Sequence, residues 1–368
     1  MTAVPPVDLR LQHQAVAYEI AQGFAAVFDK TAFILGPAVK EFETAYAAFV
    51  GARHCVGVAN GTDALELALR AAGADAEAEV LLPANTFIAT ALAVLRAGAR
   101  PVLVDCEPDF YLLDLEQAAG RITKKTRFLM PVHLYGQMAP IEEVDALARA
   151  HGLTVIEDAA QAQGARRHGR AAGTCGLAAG TSFYPGKNLG AYGDAGAVTT
   201  DSDELATKLR ALRNYGSEAK YHHPELGFNT RLDTLQAVVL STKLKRLAGW
   251  NDARRAAARR YDELLTDLPV VTPPRTRPGN EHVFHLYVVR VPRRDEVVQK
   301  LNADGIGAQI HYPIPLHLQG AFRGLGLGEG TFPVAEKAAR EILSLPMFPE
   351  ITADQQARVV ASLRRALG

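Results

Sequence analysis

From about residue 50 onward, short apolar runs alternate with longer stretches whose apolar residues fall at helical spacing. "HCVGVAN" precedes "TDALELALRAAG", "EVLLPAN" precedes "TFIATALAVLRAG", and "RPVLVD" follows. Further on, "TRFLMPVH" precedes "IEEVDALARAHG", and "LTVIEDAA" comes next. The helical stretches stop at Gly73, Gly98 and Gly152, the residue type that tolerates the left-handed conformation just past a helix end. The strand runs are apolar almost throughout, as strands are when helices cover both faces of a parallel sheet. The pattern predicts an α/β domain, in which ligands gather at the carboxyl ends of the strands.

The flanks read differently. "GPAVKEFETAYAAFVG" predicts a helix with Pro37 in its first turn and Gly51 at its stop. "LDTLQAVVLSTKLKRLAGWNDARRAAARRYDELL" predicts one long helix leading into the Pro-rich "PVVTPPRTRPGN". A strand in "HVFHLYVVRV" and helices around "RRDEVVQKLNADG" and "EKAAREILS" follow. The expected division is residues 1–245 as N-terminal helices plus a large domain, and residues 246–368 as a smaller C-terminal α/β domain.

Composition narrows the classes. The 368 residues include 40 basic and 40 acidic side chains, and a balanced charge argues against a nucleic-acid binder. "MTAVPPVDLRLQHQ" has no charged start followed by an apolar stretch, and "FIATALAVL" is far shorter than the roughly 20 residues of a membrane span. Cys55, Cys106 and Cys175 are too few and too scattered for a disulfide or zinc framework. The expectation is a cytoplasmic protein with no membrane or nucleic-acid partner. The paired histidines of "YHHPE" and "HVFHLY" read as surface or core residues, and no metal site is expected.

Three segments at strand ends carry candidate chemistry. In "ANGTDALELAL", Gly61 and Thr62 stand where a strand gives way to a helix. That is either a phosphate seat, or an ordinary turn with Thr62 or Asp63 as N-cap. In "VIEDAAQAQGA", Asp158 closes an apolar strand and Gln161 follows three residues later. A carboxylate there needs a partner, either a helix N-terminus or a cationic ligand atom. In "TSFYPGKNLGAYGDAGAV", Lys187 lies in a glycine-rich turn that fails the triphosphate-loop pattern, because Thr181 and Asn188 occupy the diagnostic positions.

One cofactor unites the three. Pyridoxal phosphate has a phosphate, a ring nitrogen that works best protonated, a phenolic oxygen and an aldehyde that a lysine can capture. A phosphate seat, then a carboxylate, then a lysine about thirty residues later suits that chemistry. Asp158 would serve the ring nitrogen, Gln161 the phenolic oxygen and Ser182 the phosphate. Lys187 would form the Schiff base and, once displaced, carry the proton. Phe87, after "PANT", would lie against the ring or be the first core residue of a helix.

Nearly the whole chain resembles the DegT/DnrJ/StrS-type sugar aminotransferases, which have the fold-type I architecture of pyridoxal-phosphate enzymes. The likeness is carried by "FILGPAVKEFE", "NGTDALELAL", "LPANTFIATALAVLRAGARPVLVD", "PVHLYGQ", "IEDAAQAQGA", "SFYPGKNLGAYGDAGAV", "LRNYGS", "GFNTRLDTLQAVVL" and "HYPIPLHLQ". The resemblance implies the same roles for Lys187, Asp158 and Gln161, with Gly61, Thr62 and Ser182 around the phosphate and Phe87 stacked on the ring. It implies that Asn229 reaches the phosphate of a neighbouring subunit's cofactor, so that the active site belongs to a homodimer.

A relative with histidine in place of the lysine dehydrates sugars, whereas Lys187 favours transamination. The segments around "LRNYGSEAKYHHPELGFNTRLD" and "HYPIPLHLQ" most resemble the branch acting on 3-keto nucleotide sugars. By that resemblance Tyr184, Tyr221, His311 and Tyr312 line the sugar pocket, with Tyr221 a candidate for donation by the partner. The expected reaction moves an amino group from L-glutamate, through pyridoxamine phosphate, to the ketone of a dTDP-linked 3-keto-6-deoxyhexose. The alternatives are a 4-keto nucleotide sugar, a keto-cyclitol, or a non-catalytic cofactor-binding sensor.

Overall fold

A computed structural model describes residues 3–368. Helices α1 (Leu9–Lys30) and α2 (Pro37–Val50) come first, and α2 begins at Pro37 and stops at Gly51, whose φ is 86°. Then β1 (His54–Val58), α3 (Gly61–Ala71), β2 (Glu79–Pro83), α4 (Ile88–Arg96) and β3 (Arg100–Val104) alternate. Next come α5 (Leu115–Gly120), β4 (Thr126–Leu129), α6 (Ile141–His151) and β5 (Thr154–Asp158). The two-residue strands β6 (Arg166–Arg167) and β7 (Arg170–Ala171) precede β8 (Ala178–Ser182), β9 (Gly196–Thr200) and α7 (Asp203–Leu212).

Strands β1 to β5, β8 and β9 form a seven-stranded sheet in the order β1-β9-β8-β5-β4-β2-β3. Only β9 runs against the others, pairing antiparallel with both β1 and β8. The carboxyl ends of β1, β5 and β8 therefore open at one edge, and the register sets Asp158 opposite Gly180. One sheet face packs on α3, α4 and α7 through residues such as Leu65, Leu69, Val94 and Leu209, and Phe42, Phe183 and Leu240 fill a second cluster with α2 and α8 (Thr234–Leu244).

The stretch expected as one long helix is two. Helix α8 ends at Leu244 and α9 (Leu247–Leu265) starts after Lys245 and Arg246. No glycine or proline marks the break, so residue types alone give no stop signal there. The chain continues through β10 (Asn280–Glu281), β11 (Tyr287–Arg290), α10 (Arg294–Ala303) and α11 (Pro333–Glu341) to β12 (Ile342–Leu345) and α12 (Ala353–Leu367). "EKAAREILS", expected as helix, changes to strand at Ile342, where the four residues Ile342–Leu345 pair with β11. Val4 joins the C-terminal core of α9, α10, α12, β11 and β12 and bridges to Ile306. No helix among the described residues is long and apolar enough to cross a membrane.

Candidate active site

The turn after β8 is fastened from several sides. The Lys187 amide donates to the Tyr184 carbonyl at 2.8 Å, and Asn188 Nδ2 donates to Asn251 Oδ1 at 2.9 Å and to the Val283 carbonyl at 3.0 Å. Lys243, buried in α8, donates from Nζ to the Gly190 carbonyl at 2.8 Å. A side chain at Gly190 would place Cβ 2.2 Å from the Pro185 carbonyl oxygen, so the turn closes only with glycine there. By contrast the Lys187 side chain has no hydrogen bond or ion pair among the described residues. Burial pulls its amine down to about 8, against the opposing attraction of Asp158.

Asp158 ends β5 and is buried. Neither a helix N-terminus nor an arginine partners it. Thr90 Oγ1 donates to Oδ2 at 2.7 Å, and the Ala160 amide donates to Oδ1 at 3.1 Å. Burial raises its pKa, and these two bonds with the nearby Lys187 offset only part of the rise. Gln161 accepts from the Tyr135 amide at 2.7 Å and donates from Nε2 to the Tyr312 hydroxyl at 2.9 Å.

At the start of α3 the N-cap is Asn60, not Thr62 or Asp63; its Oδ1 accepts from the Asp63 amide at 2.9 Å. The Gly61 and Thr62 amides have no acceptor among the described residues, so two donors stand at the positive end of a helix. A Cβ on Gly61 would lie 2.6 Å from Ser182 Cβ, which brings this helix end against the end of β8. Gln163 Nε2 donates to the Ser182 carbonyl at 2.8 Å and to Thr181 Oγ1 at 3.0 Å, joining the loop after β5 to the same strand end.

Phe87 is the N-cap of α4 and its ring is 50% exposed, so it is not the first core residue of that helix. The Phe87 and Tyr312 rings lie 5.3 Å apart at 35°. The His311 carbonyl accepts from the Tyr135 hydroxyl at 2.5 Å, and its Nδ1 lies 2.8 Å from Ser344 Oγ. Burial and the nearby Lys187 bring its pKa down to about 4, which leaves the ring neutral near pH 7.

Three candidates are exposed. Tyr184 is 59% exposed beside the lysine turn, and Tyr221 is 84% exposed on a segment where Lys220 Nζ lies 5.1 Å from its ring centre. Asn229 pairs through its backbone with Asn214, and its exposed amide has no partner among the described residues. Among the described residues neither Tyr221 nor Asn229 shares a hydrogen bond or ion pair with Lys187, Asp158 or Gln161. Of the other histidines, His282 is buried, His285 half-buried and His222 and His223 exposed, and no metal-ligand cluster occurs among the described residues.

The residues that residue-type reasoning missed are Thr90, Tyr135 and Asn188. Thr90 is a polar break inside "FIATALAVL", four residues after Thr86, and that spacing is the signal that could have marked it.

The donor set fits pyridoxal phosphate. Two amides without acceptors and a serine stand at a helix end, a two-donor carboxylate lies near an amine without a partner, and a half-exposed aromatic ring flanks them. Fold and site together define a pyridoxal-phosphate-dependent aminotransferase of the fold-type I architecture. The chain belongs to the DegT/DnrJ/EryC1/StrS aminotransferase family, whose sequence pattern it matches over residues 14–364. It is 48% identical, over 98% of this chain and 97% of the relative, to the "pleiotropic regulatory protein" of Geobacillus stearothermophilus. It is 45% identical to the dTDP-3-amino-3,4,6-trideoxy-alpha-D-glucose transaminase of Streptomyces venezuelae, over 98% of this chain and 95% of that one. The crystal structure of S. venezuelae DesV in complex with a ketimine intermediate superposes with a TM-score of 0.97, at 45% identity, over 99% of this chain and 98% of that one.

Proposed function

We propose that the chain transfers the amino group of L-glutamate to the ketone of a dTDP-linked 3-keto-6-deoxyhexose, giving a 3-amino sugar. The observation that carries the reading is the Lys187 amine, without a protein partner, near the buried carboxylate of Asp158. The transaminase name of the Streptomyces relative supports the sugar and the position aminated.

When bound, pyridoxal phosphate supplies an aldehyde for an amine to capture and a ring that draws electrons from the adjoining carbon. The chain's own groups do the rest. With a pKa of about 8, Lys187 keeps roughly a tenth of its amine neutral at pH 7, enough to bind a carbonyl and later to take and return a proton. The Asp158 carboxylate would hold a ring N–H and Gln161 the phenolic oxygen. The Gly61 and Thr62 amides and the Ser182 hydroxyl would hold the phosphate, and Phe87 would offer a face for the ring. Neutral His311, with Tyr312 and Tyr184, lines the space for the sugar.

In this reading residues 1–245 carry the cofactor and residues 246–368 form the smaller domain that brings His311 and Tyr312. The working unit is a homodimer. Exposed Tyr221 and the unpartnered amide of Asn229 support it, as groups available to a second copy's site. Three unpaired cysteines suit a reducing cytoplasm.

The test is the visible absorbance of the cofactor-loaded protein. L-glutamate is expected to abolish the band, and a dTDP-linked 3-keto sugar to restore it. A 4-keto sugar or a keto-cyclitol restoring it better would move the assignment to that substrate. The regulatory name of the Geobacillus relative favours a second reading, a cofactor-binding sensor. A band that survives every amino donor would establish the sensor and defeat the transaminase.

A further inference from the structure

The segment that leads into α4 and its first turn holds a chain of hydroxyls that ends on Asp158. Thr86 Oγ1 lies 2.9 Å from Thr90 Oγ1, and Thr90 Oγ1 lies 2.7 Å from Asp158 Oδ2. All three side chains are buried. An ionised carboxylate only accepts, so the single Thr90 proton is committed to Asp158, and Thr86 must then be the donor to Thr90. The direction is Thr86 to Thr90 to Asp158, each bond strengthening the next in a medium of low dielectric. Phe87, whose exposed ring stands by Tyr312, lies between the two threonines in sequence. One short segment thus holds the carboxylate from behind and offers an aromatic face in front.

We propose that Thr90, backed by Thr86, is a positioning residue that keeps Asp158 ionised and sets how firmly it holds a proton on the cofactor's ring nitrogen. The inference rests on the reading of Asp158 as the partner of that nitrogen. The other titratable groups facing Asp158 are Lys187 from the turn after β8, His133 from the segment after β4, and Tyr312. None of them donates a hydrogen bond to either carboxylate oxygen, so the hydroxyl chain is the one side-chain donor Asp158 has among the described residues.

The variants are Thr90→Val, which keeps the shape and removes the hydroxyl, Thr90→Ser, which restores it, and Thr86→Val. The readouts are the pH midpoint of the visible band in the resting, cofactor-loaded enzyme and the dissociation constant of the cofactor. A ring nitrogen held less firmly protonated lets the neighbouring lysine-bound nitrogen keep its proton to higher pH. Thr90→Val is therefore expected to raise the midpoint by about one pH unit and weaken cofactor binding roughly fivefold. Thr90→Ser should return both to the wild-type values, and Thr86→Val should give a smaller shift of the same sign. A folded Thr90→Val protein with both values unchanged would overturn the inference. If Thr90→Val does not fold, Thr86→Val decides: a rise supports the hydroxyl chain, and no change overturns it. Asp158→Asn separates the two levels. A midpoint unmoved by Asp158→Asn defeats the reading of Asp158 itself, whereas one moved by Asp158→Asn but not by Thr90→Val defeats only the hydroxyl chain.

Discussion

Glu157 and Asp158 are neighbours on one strand, both buried, and the protein treats them in opposite ways. Glu157 receives four donors. Its Oε1 accepts from the Cys175 amide at 2.6 Å and the Gly176 amide at 2.9 Å, and Oε2 from the Gly173 amide at 3.0 Å and His133 Nε2 at 2.8 Å. His133 Nδ1 meanwhile accepts from the Ala139 amide at 3.1 Å, which puts its proton on Nε2. Asp158, facing the other side of the sheet, receives two donors. Burial raises the pKa of both carboxyls. For Glu157 the donors more than reverse the rise, and for Asp158 they do not. A carboxylate saturated by the fold is a structural clamp. One left with spare acceptor capacity has room for a further donor.

The difference predicts opposite phenotypes for two substitutions of the same kind. Asp158→Asn is expected to lower kcat/KM roughly a hundred- to a thousandfold while shifting the stability of the cofactor-free protein by about 1 kcal/mol or less. Glu157→Gln should do the reverse. Its amide nitrogen would face backbone N–H groups in a buried site, costing about 3 kcal/mol of unfolding free energy, with any loss of activity following the unfolded fraction. Urea denaturation beside steady-state kinetics reads both. A stable but inactive Glu157→Gln protein would break the distinction.

Acid titration sharpens the same contrast. The Glu157 contribution, from a lowered pKa, is fully present above its unfolded value of 4.5 and disappears as pH falls through the folded value. The Asp158 effect has the other sign, a cost that appears only as pH rises past 3.8 and through its raised folded value. Stability should therefore fall less steeply on acidification in Glu157→Gln than in the wild type. Equal slopes below pH 5 would remove Glu157 from the account.

This contrast also marks where the sequence was legible. Asp158, Gln161, Gly61 and Lys187 fall at strand ends, and strand ends are visible from the change between apolar runs and helical spacing. The stop of α2 at Gly51 was legible for the same local reason. What surrounds those residues was not. Glu157 and Asp158 are identical in kind on paper, and only the backbone of residues 173–176 and the ring of His133, brought in from elsewhere in the chain, separate them. Thr90 hides in an apolar helical run, and the break at Lys245 and Arg246 carries no glycine or proline. Local chemistry is written in residue types, whereas the donors assigned to a buried group depend on contacts far apart in sequence.

The smallest expected effect concerns the amine that shares the site with Asp158. Burial favours the neutral form of Lys187, taking its pKa from 10.5 to about 8, so the folded protein carries a cost whenever the unfolded lysine would be charged. That cost is absent above pH 10.5, grows as pH falls toward 8, and is constant below it. Lys187→Met, similar in length and uncharged, should therefore make the cofactor-free protein more stable at pH 7 by roughly 1–2 kcal/mol, discounted for partial exposure. The gain should fade as pH approaches 10.5. Removing the ammonium also takes away the attraction that helps keep Asp158 ionised, which offsets part of the gain. The double variant Lys187→Met with Asp158→Asn should then be more stable than the sum of the single changes predicts. Urea denaturation at pH 7 and at pH 10 measures each step. A Lys187→Met protein less stable than the wild type at pH 7 would mean that the lysine is held by the fold as Glu157 is, and is not waiting for a ligand.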